Sequence, residues 1–298
     1  MELSVGVVTY NRARLLDSCL GSLRTACAGV PHEIIVVDNN SRDGTVEMLR
    51  TGHPDVRLVT NGANLGLTRA GNQAISLACG RHFLFLNDDT RITRDALEAL
   101  IGFQRAHPDA GAVGPQLLYA DGTEQGAHKA FPTPLVALFG RRSLMRRWFP
   151  NNPVSRRYLT SAYAQGSTAY EVDSVSAACV LVRRETIEDV GGMDEGFFVY
   201  WSDVDWCRRM KDRHWKLYVV PSARVVHLEG QMISRQRPRA IVDFHRGAYL
   251  YYCRHHARSA WNPMRMLALG GLGLRTLVML VVNELRRPPA LSAEERSR

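Results

Sequence analysis

Residues 83–90 read FLFLNDDT. A run of apolar residues suited to a buried strand leads straight into Asn87, Asp88 and Asp89. Two adjacent carboxylates at such a strand end repel each other and call for a cationic neighbour. The sequence upstream repeats one pattern, a β-rich run followed by a helix-length stretch. LSVGVVTY (3–10) precedes RARLLDSCLGSLRTA (12–26), EIIVVDNN (33–40) precedes TVEMLRTG (45–52), VRLVTN (56–61) precedes TRAGNQAISLAC (68–79), and HFLFLNDD (82–89) follows. Strands that are apolar throughout are covered on both faces, and strands alternating with helical stretches read as βαβ units. The expectation is an α/β fold whose mostly parallel, doubly wound central sheet carries helices on both faces. Ligands of such sheets sit at the carboxyl ends of the strands. Here those ends are polar: Thr9 and Asn11, Asp38 to Asn40, Asn61 and Asn64, and Asn87 to Asp89.

Downstream, ALEALIGFQRAHPD reads as a helix and AGAVGPQLLY as a strand, after which regularity lapses. Residues 120–170 mix turn formers with PLVALFGRRSLMRRWFP, a run of large apolar groups and paired arginines. So long an irregular stretch is a functional loop or a disordered insert; an acceptor-side flap and a plain surface excursion both fit. SVSAACVLVRRETIEDVGG then reads as strand and helix, WSDVDWCRRMKDRHW as a helix, and KLYVVP and ARVVHLEG as two short strands. The expected division is a domain over 1–240, with 120–170 as its insert, and a C-terminal helical segment over 241–298. Within that segment LALGGLGLRTLVMLVV (267–282) is nearly all apolar, broken by Arg275 and flanked by Arg265, Arg286 and Arg287. It is shorter than the about 20 residues of a spanning helix and has the basic flanks of a helix lying on an anionic leaflet. Packing on the body of the protein or on a second copy is the alternative.

The chain has 298 residues and a formal charge of +9, with the excess mostly in arginine pairs. Such a balance favours anionic partners. The pairs are dispersed rather than interleaved with aromatics on one recognisable module, so no nucleic-acid partner is expected. Cys19, Cys27, Cys79, Cys179, Cys207 and Cys253 show no C-x-x-C spacing, which argues against a zinc site or a secreted disulfide framework. The N-terminus shows no signal-peptide pattern, and a cytoplasmic location is expected.

Four stretches carry chemistry. Adjacent acids at a strand end, Asp88 and Asp89 beside Asn87, suit Mg²⁺ or Mn²⁺, which takes one or two carboxylates together with water and phosphate oxygens. An acidic turn into a helix capped by Thr93, with Asp95 in its first turn, is the bland reading. In VVDNNSRDGT (36–45) Asp38 can accept hydrogen bonds from a base or sugar hydroxyl, although an ordinary βα loop uses the same residue types. NLGLTRAGNQAI (64–75) offers close backbone approach at Gly66 and Gly71, with Arg69 in reach of a phosphate at a helix start. It has neither G-K-[ST] nor G-x-G-x-x-G, so neither a P-loop ATPase nor a dinucleotide-binding dehydrogenase is supported. In GGMDEGFFVYWSDVDWCRR (191–209) Asp203 and Asp205 open a helix, where acids offset the dipole. Among Phe197, Phe198, Tyr200, Trp201 and Trp206, one of them can also serve as a desolvated base. His227 ends a strand-like run, as a structural residue or a further metal ligand.

In this order VVTYNR, VVDNNSRDGT, NLGLTRAGN, NDDT, GGMDEGFF, SDVD and VVH resemble the inverting family 2 glycosyltransferases of the GT-A fold, and within them the bacterial rhamnosyltransferase-like branch. The likeness runs over about residues 3–230, and seven ordered blocks are far more specific than any one motif. The resemblance implies nucleotide-sugar contacts at Thr9, Tyr10, Asn11, Arg12, Asp38 and Asn40, and at Asn64, Gly66, Arg69, Asn72, Asn87 and Asp88. It implies Asp89 and His227 as ligands of Mg²⁺ or Mn²⁺, Asp203 as the catalytic base and Asp205 as a supporting acid. Ser202 stands where the family has a glutamate, which puts the orientation of Asp203 and the share taken by Asp205 in question. The implied reaction moves a sugar, L-rhamnose from dTDP-rhamnose, to a cell-envelope polysaccharide or glycolipid at the inner membrane surface, with homo-oligomerisation open. Alternative donors are UDP-hexose or UDP-galactofuranose. Two other readings are weaker. Nucleotidyl transfer needs a glycine-rich first loop that VVTYNRARLL lacks, and a non-catalytic basic binding module has only the arginine pairs in its favour.

Overall fold

The first strands are apolar on both faces because the folded chain covers both. The computed structural model describes residues 1–126, 128, 130–134, 166, 168–228 and 237–285. The first half comprises β1 (Leu3–Thr9), α1 (Ala13–Ala26), β2 (His32–Asp38), α2 (Thr45–Gly52), β3 (Arg57–Thr60), α3 (Gly66–Leu77) and β4 (His82–Asn87). After these come β5 (Thr90–Arg91), α4 (Arg94–Ala106), β6 (Ala110–Leu118), β7 (Tyr170–Val172), β8 (Cys179–Arg183), α5 (Arg184–Val190), α6 (Ser202–Asp212) and β9 (Lys216–His227). Two more helices, α7 (Arg237–His255) and α8 (Met264–Leu285), follow. The chain divides into two compact units, residues 1–229 and 230–298.

One nine-stranded sheet runs β3-β2-β1-β4-β8-β6-β9-β5, with β7 added alongside β9. The strands β3, β2, β1 and β4 are parallel, and register places Thr9 opposite Asp38 and Val8 opposite Asn87. Three polar strand ends therefore stand side by side. Beyond β4 the sheet turns mixed: β8 is antiparallel to both β4 and β6, and β9 runs parallel to β6. Val5, Val7, Val36, Leu84 and Leu86 pack with Leu16, Leu20 and Leu23 of α1 and Leu97 and Leu100 of α4. On the other face Ile35, Val37, Phe83 and Phe85 pack with Ala70 and Ala74 of α3 and Trp206 and Met210 of α6. Gly6 keeps the second face flat, since a Cβ there would stand 2.5 Å from the Phe83 ring.

The two short strands expected over KLYVVP and ARVVH are one strand, β9. Pro221 breaks the register without ending it: pairing with β6 jumps from Val220 to Arg224 opposite Pro115 and Gln116, a bulge that accommodates a residue lacking an N–H. Thr93 caps α4, its side chain accepting from Ala96 N at 3.3 Å, with Asp95 in the first turn. Most of the 120–170 insert, with its paired arginines, lies outside the described residues, as do Arg286 and Arg287. In the second unit α7 and α8 pack on each other, and Arg265 Nε donates to Ala257 O at 2.8 Å. α8, 22 residues with none buried, contains the apolar run, and by length and composition is long and apolar enough to cross a membrane.

Candidate active site

The cationic neighbour of the two carboxylates is Arg12, from the loop after β1. Its Nη1 donates to Asp88 Oδ1 at 3.0 Å and to Asp89 Oδ2 at 2.6 Å, with all three side chains at least nine-tenths buried. Thr9 Oγ1 donates to the other Asp88 oxygen at 2.9 Å. Asp88 is thus satisfied on both oxygens and ties β1 to β4. Burial pushes the Asp88 carboxyl up to about 6, with Arg12 opposing and Asp89 reinforcing the shift. At Asp89 burial also works upward, but His227 and Arg12 outweigh it and hold the group below its ordinary value. The same two carboxylates raise Arg12 despite its own burial.

Asp89 Oδ1 is buried and has no hydrogen-bond partner. Its nearest polar neighbour is His227 Nε2 at 3.3 Å. The short β5 brings them together, pairing Thr90 with His227 antiparallel, and Leu228 N donates to Asp89 O at 2.9 Å. Asn87 Nδ2 lies 3.5 Å from the same ring nitrogen. Among the described residues no three His, Cys, Asp or Glu side chains converge as a metal site. Asp89 and His227 could offer one oxygen and one nitrogen to a divalent ion that completes its shell with water and phosphate.

Across β1 and β2 a second orphaned atom faces no partner. Asp38 is 1% exposed; its Oδ2 accepts from Ser41 N at 3.0 Å, and its Oδ1 is buried without a partner. The loops after β1 and β2 are laced together. Asn11 Oδ1 accepts from Arg42 N at 2.7 Å, Asn11 N donates to Ser41 Oγ at 2.8 Å, and Ala13 N donates to Asp43 Oδ2 at 3.0 Å. Asn11 and Asn40 both take positive φ, 54° and 68°, a region open to asparagine. Tyr10 is half-buried beside them.

The residues expected from 64–72 are engaged otherwise. Asn64 Oδ1 caps the start of α3 by accepting from Gly66 N at 3.0 Å. Gly66 has φ +85, and a Cβ there would stand 2.6 Å from Phe198 O, so no other residue lets the 191–198 loop approach so closely. That loop is clamped onto α3: Leu67 N donates to Phe198 O at 2.7 Å, and Thr68 Oγ1 to Phe197 O at 2.5 Å. Asn72 accepts from Met193 N at 2.9 Å and donates to Met193 O at 2.8 Å. Arg69 pairs with Glu195 at 3.4 Å on the surface.

The clamp delivers α6. Trp201, just ahead of this helix, takes φ +73, a strained conformation for a bulky residue that costs about 1–3 kcal/mol and persists where its surroundings enforce it. Asp203 follows, half-buried in the first turn, its Oδ1 accepting from Val204 N at 2.9 Å. Asp205 is 1% exposed and accepts from Arg209 Nε at 2.9 Å; Arg209 in turn donates to Val190 O and Gly192 O. Asp205 therefore anchors the loop's far end. Two contributors carried no sequence signal. Asn39 donates to Gly66 O at 3.1 Å and accepts from Asn61 Nδ2 at 3.0 Å, and Gln125 contacts His227 at Nδ1, 2.9 Å away.

A parallel half-sheet with polar strand ends, joined to a mixed half that returns a histidine to an aspartate, gathers these side chains at the carboxyl ends of the strands, where sheets of this kind bind ligands. The mannosyltransferase PcManGT of Pyrobaculum calidifontis, solved with GDP-Man and Mn²⁺, shares this fold at a TM-score of 0.57 and 20% identity, covering 99% of this chain and 79% of that one. The Glycosyl transferase family 2 model matches residues 4–191, and the chain belongs to that family. The N-acetylglucosaminyl-diphospho-decaprenol L-rhamnosyltransferase of Mycobacterium tuberculosis is 30% identical over 299 residues, 96% of this chain and 94% of that one. The dTDP-rhamnosyl transferase RfbF of Shigella flexneri is 24% identical over 228 residues, covering 75% and 68%. The chain is a glycosyltransferase with rhamnosyltransferase relatives.

Proposed function

We propose that this chain transfers L-rhamnose from dTDP-rhamnose, with inversion, onto a prenyl-diphosphate-linked glycolipid of the cell envelope. What carries the reading is the near-full-length likeness to a rhamnosyltransferase named for such an acceptor. It is supported by two buried carboxylate oxygens without partners, Asp38 Oδ1 and Asp89 Oδ1. Asp38 receives donor hydroxyl or base N–H groups, with Tyr10, Asn11 and Asn40 lining the same strand ends. Asp89 and His227 hold Mg²⁺ or Mn²⁺. When bound there, the ion supplies electrostatic stabilisation of the diphosphate leaving group. Arg12 keeps Asp88 and Asp89 at fixed spacing while neutralising one of their two charges. Asp203 accepts the proton of the acceptor hydroxyl as that oxygen attacks the anomeric carbon from the face opposite the diphosphate, so configuration inverts without a covalent enzyme intermediate.

The test is release of nucleoside diphosphate across a donor panel, with a prenyl-diphosphate-linked N-acetylglucosamine acceptor and Mg²⁺ or Mn²⁺. Turnover of dTDP-rhamnose that stops on chelation is expected. Preference for a UDP-sugar moves the donor assignment to the alternative class, and absence of turnover with every donor overturns the reading. We further propose that α8 holds the enzyme at the cytoplasmic face of the membrane, lying in the interface. Arg275 at mid-helix costs about 2.5–3.5 kcal/mol at the bilayer centre, and this weighs against spanning. The full chain is expected to co-sediment with anionic vesicles, and Leu277→Glu with Val281→Glu to release it.

A further inference from the structure

Gln125 is 4% exposed, has no assigned role, and is brought to His227 by a tight turn after β6. Gly122 N donates to Tyr119 O at 3.0 Å, Asp121 Oδ1 accepts from Thr123 N at 2.9 Å, and Gln125 N then donates to Leu117 O at 2.9 Å. The side-chain amide is oriented by its neighbours. Its Nε2 sits 2.6 Å from His227 O and 3.3 Å from Leu118 O. Both are carbonyls that only accept, so the nitrogen must face them. Oε1 is then the atom 2.9 Å from His227 Nδ1. An amide oxygen only accepts, so Nδ1 carries the hydrogen. In the neutral ring that leaves Nε2 as a lone pair.

Nε2 faces Asp89 Oδ1, 3.3 Å away, an oxygen that is buried without a hydrogen-bond partner among the described residues. Asn87 Nδ2 lies 3.5 Å from Nε2, at the limit of a hydrogen bond. Nε2 and Oδ1 held face to face form an arrangement that a cation between them completes. We infer that Gln125 is a positioning residue that locks His227 as its Nδ1–H tautomer and so keeps Nε2 ready as a metal ligand. The inference rests on the proposed metal site for its purpose, whereas the tautomer follows from this chain's own hydrogen bonds. Outer partners of this kind orient a ligating histidine, and their loss typically lowers metal affinity by about 10–100-fold.

The test uses the full chain. Long-range ¹H–¹⁵N spectra of metal-free, ¹⁵N-histidine-labelled protein should show the His227 ring carrying its proton on Nδ1. His227→Ala assigns the signal. Mn²⁺ affinity, read by electron paramagnetic resonance of the free ion, should fall about 10–100-fold in Gln125→Leu. Gln125→Glu, whose buried carboxyl is kept protonated by the two carbonyls it faces, keeps a donor toward them and an acceptor on Nδ1–H and should retain affinity within about threefold, a rescue that a merely structural role does not give. A His227 ring without a proton on Nδ1 in the wild type overturns the inference. So does Mn²⁺ affinity lost in His227→Ala but kept in a folded Gln125→Leu. If Gln125→Leu fails to fold, the wild-type tautomer and Gln125→Glu decide. Affinity unchanged in His227→Ala instead overturns the metal-site reading, while the metal-free spectrum still decides the tautomer.

Discussion

Two regions of the protein are built from similar polar residues at the carboxyl edge of the sheet, yet they differ in how completely those residues are satisfied. At the ends of β2, β4 and β9, buried oxygens of Asp38 and Asp89 face no hydrogen-bond donor. At the start of α3, Asn64 caps the helix, Asn72 forms a two-point clamp on Met193, and Gly66 makes room for Phe198 O. A buried acceptor without a partner costs about 1–3 kcal/mol, a cost retained where a ligand supplies the missing donor or charge. A satisfied amide has no such call on a ligand. The first region is what we propose as the binding edge, and the second is a bracket for the loop that leads into α6 and Asp203.

The largest effect expected is at the end of that bracket. Asp203→Asn keeps the shape of the side chain and removes the base, so kcat should fall by about 10²–10⁴-fold while donor affinity, measured by calorimetry, stays within about twofold. An equal loss in donor affinity would move Asp203 from proton transfer to donor binding and break the division between the regions. Next comes Asp89→Ala, which removes an oxygen ligand and also half of Arg12's ion pairing. Activity should fall by about 10²-fold or more at fixed Mn²⁺, recovering in part as Mn²⁺ is raised. Loss that no Mn²⁺ concentration relieves would make Asp89 a partner of Arg12 alone.

The difference between the regions also explains what the sequence discloses. Continuous apolar runs such as EIIVVD and HFLFLN declare a sheet covered on both faces, because burial is a property of each residue. Hydrogen-bond partnership is a property of pairs, and here the pairs are far apart: Arg12 with Asp88, Asn72 with Met193, Gln125 with His227. The arginine in VVTYNR reads as a nucleotide-sugar contact, and nothing in its stretch discloses that its Nη1 pairs with two aspartates. Gln125 stands in an irregular stretch with nothing to mark it. His227 stood open between a structural residue and a metal ligand until the likeness to a family, since a lone histidine at a strand end carries no spacing to argue from. Pro221 read as a strand end, because a bulge is visible only once β6 lies alongside.

A third test sharpens the comparison from the satisfied side. Asn72→Ala strips the 191–198 loop of two backbone hydrogen bonds at Met193, at about 1–3 kcal/mol, seen as a lower Tm. Donor KM should move by no more than about twofold, and kcat should fall with the loosened placement of Asp203. A raised donor KM at unchanged Tm would make Asn72 a donor contact and place α3 at the binding edge.

The smallest effect is at Arg69, and its smallness is informative. Its pairing with Glu195 spans 3.4 Å between side chains each more than half exposed, 56% and 52%, and such pairs contribute about 0–1 kcal/mol. Arg69→Ala should leave the Tm within error and donor KM nearly unchanged. The helix start that would present this guanidinium to a diphosphate is occupied: Leu67 N is spent on Phe198 O, and Gly66 N on Asn64. A rise of about tenfold in donor KM, equivalent to about 1.4 kcal/mol of binding, would show Arg69 leaving Glu195 for the donor phosphates. The satisfied region would then become a second binding edge.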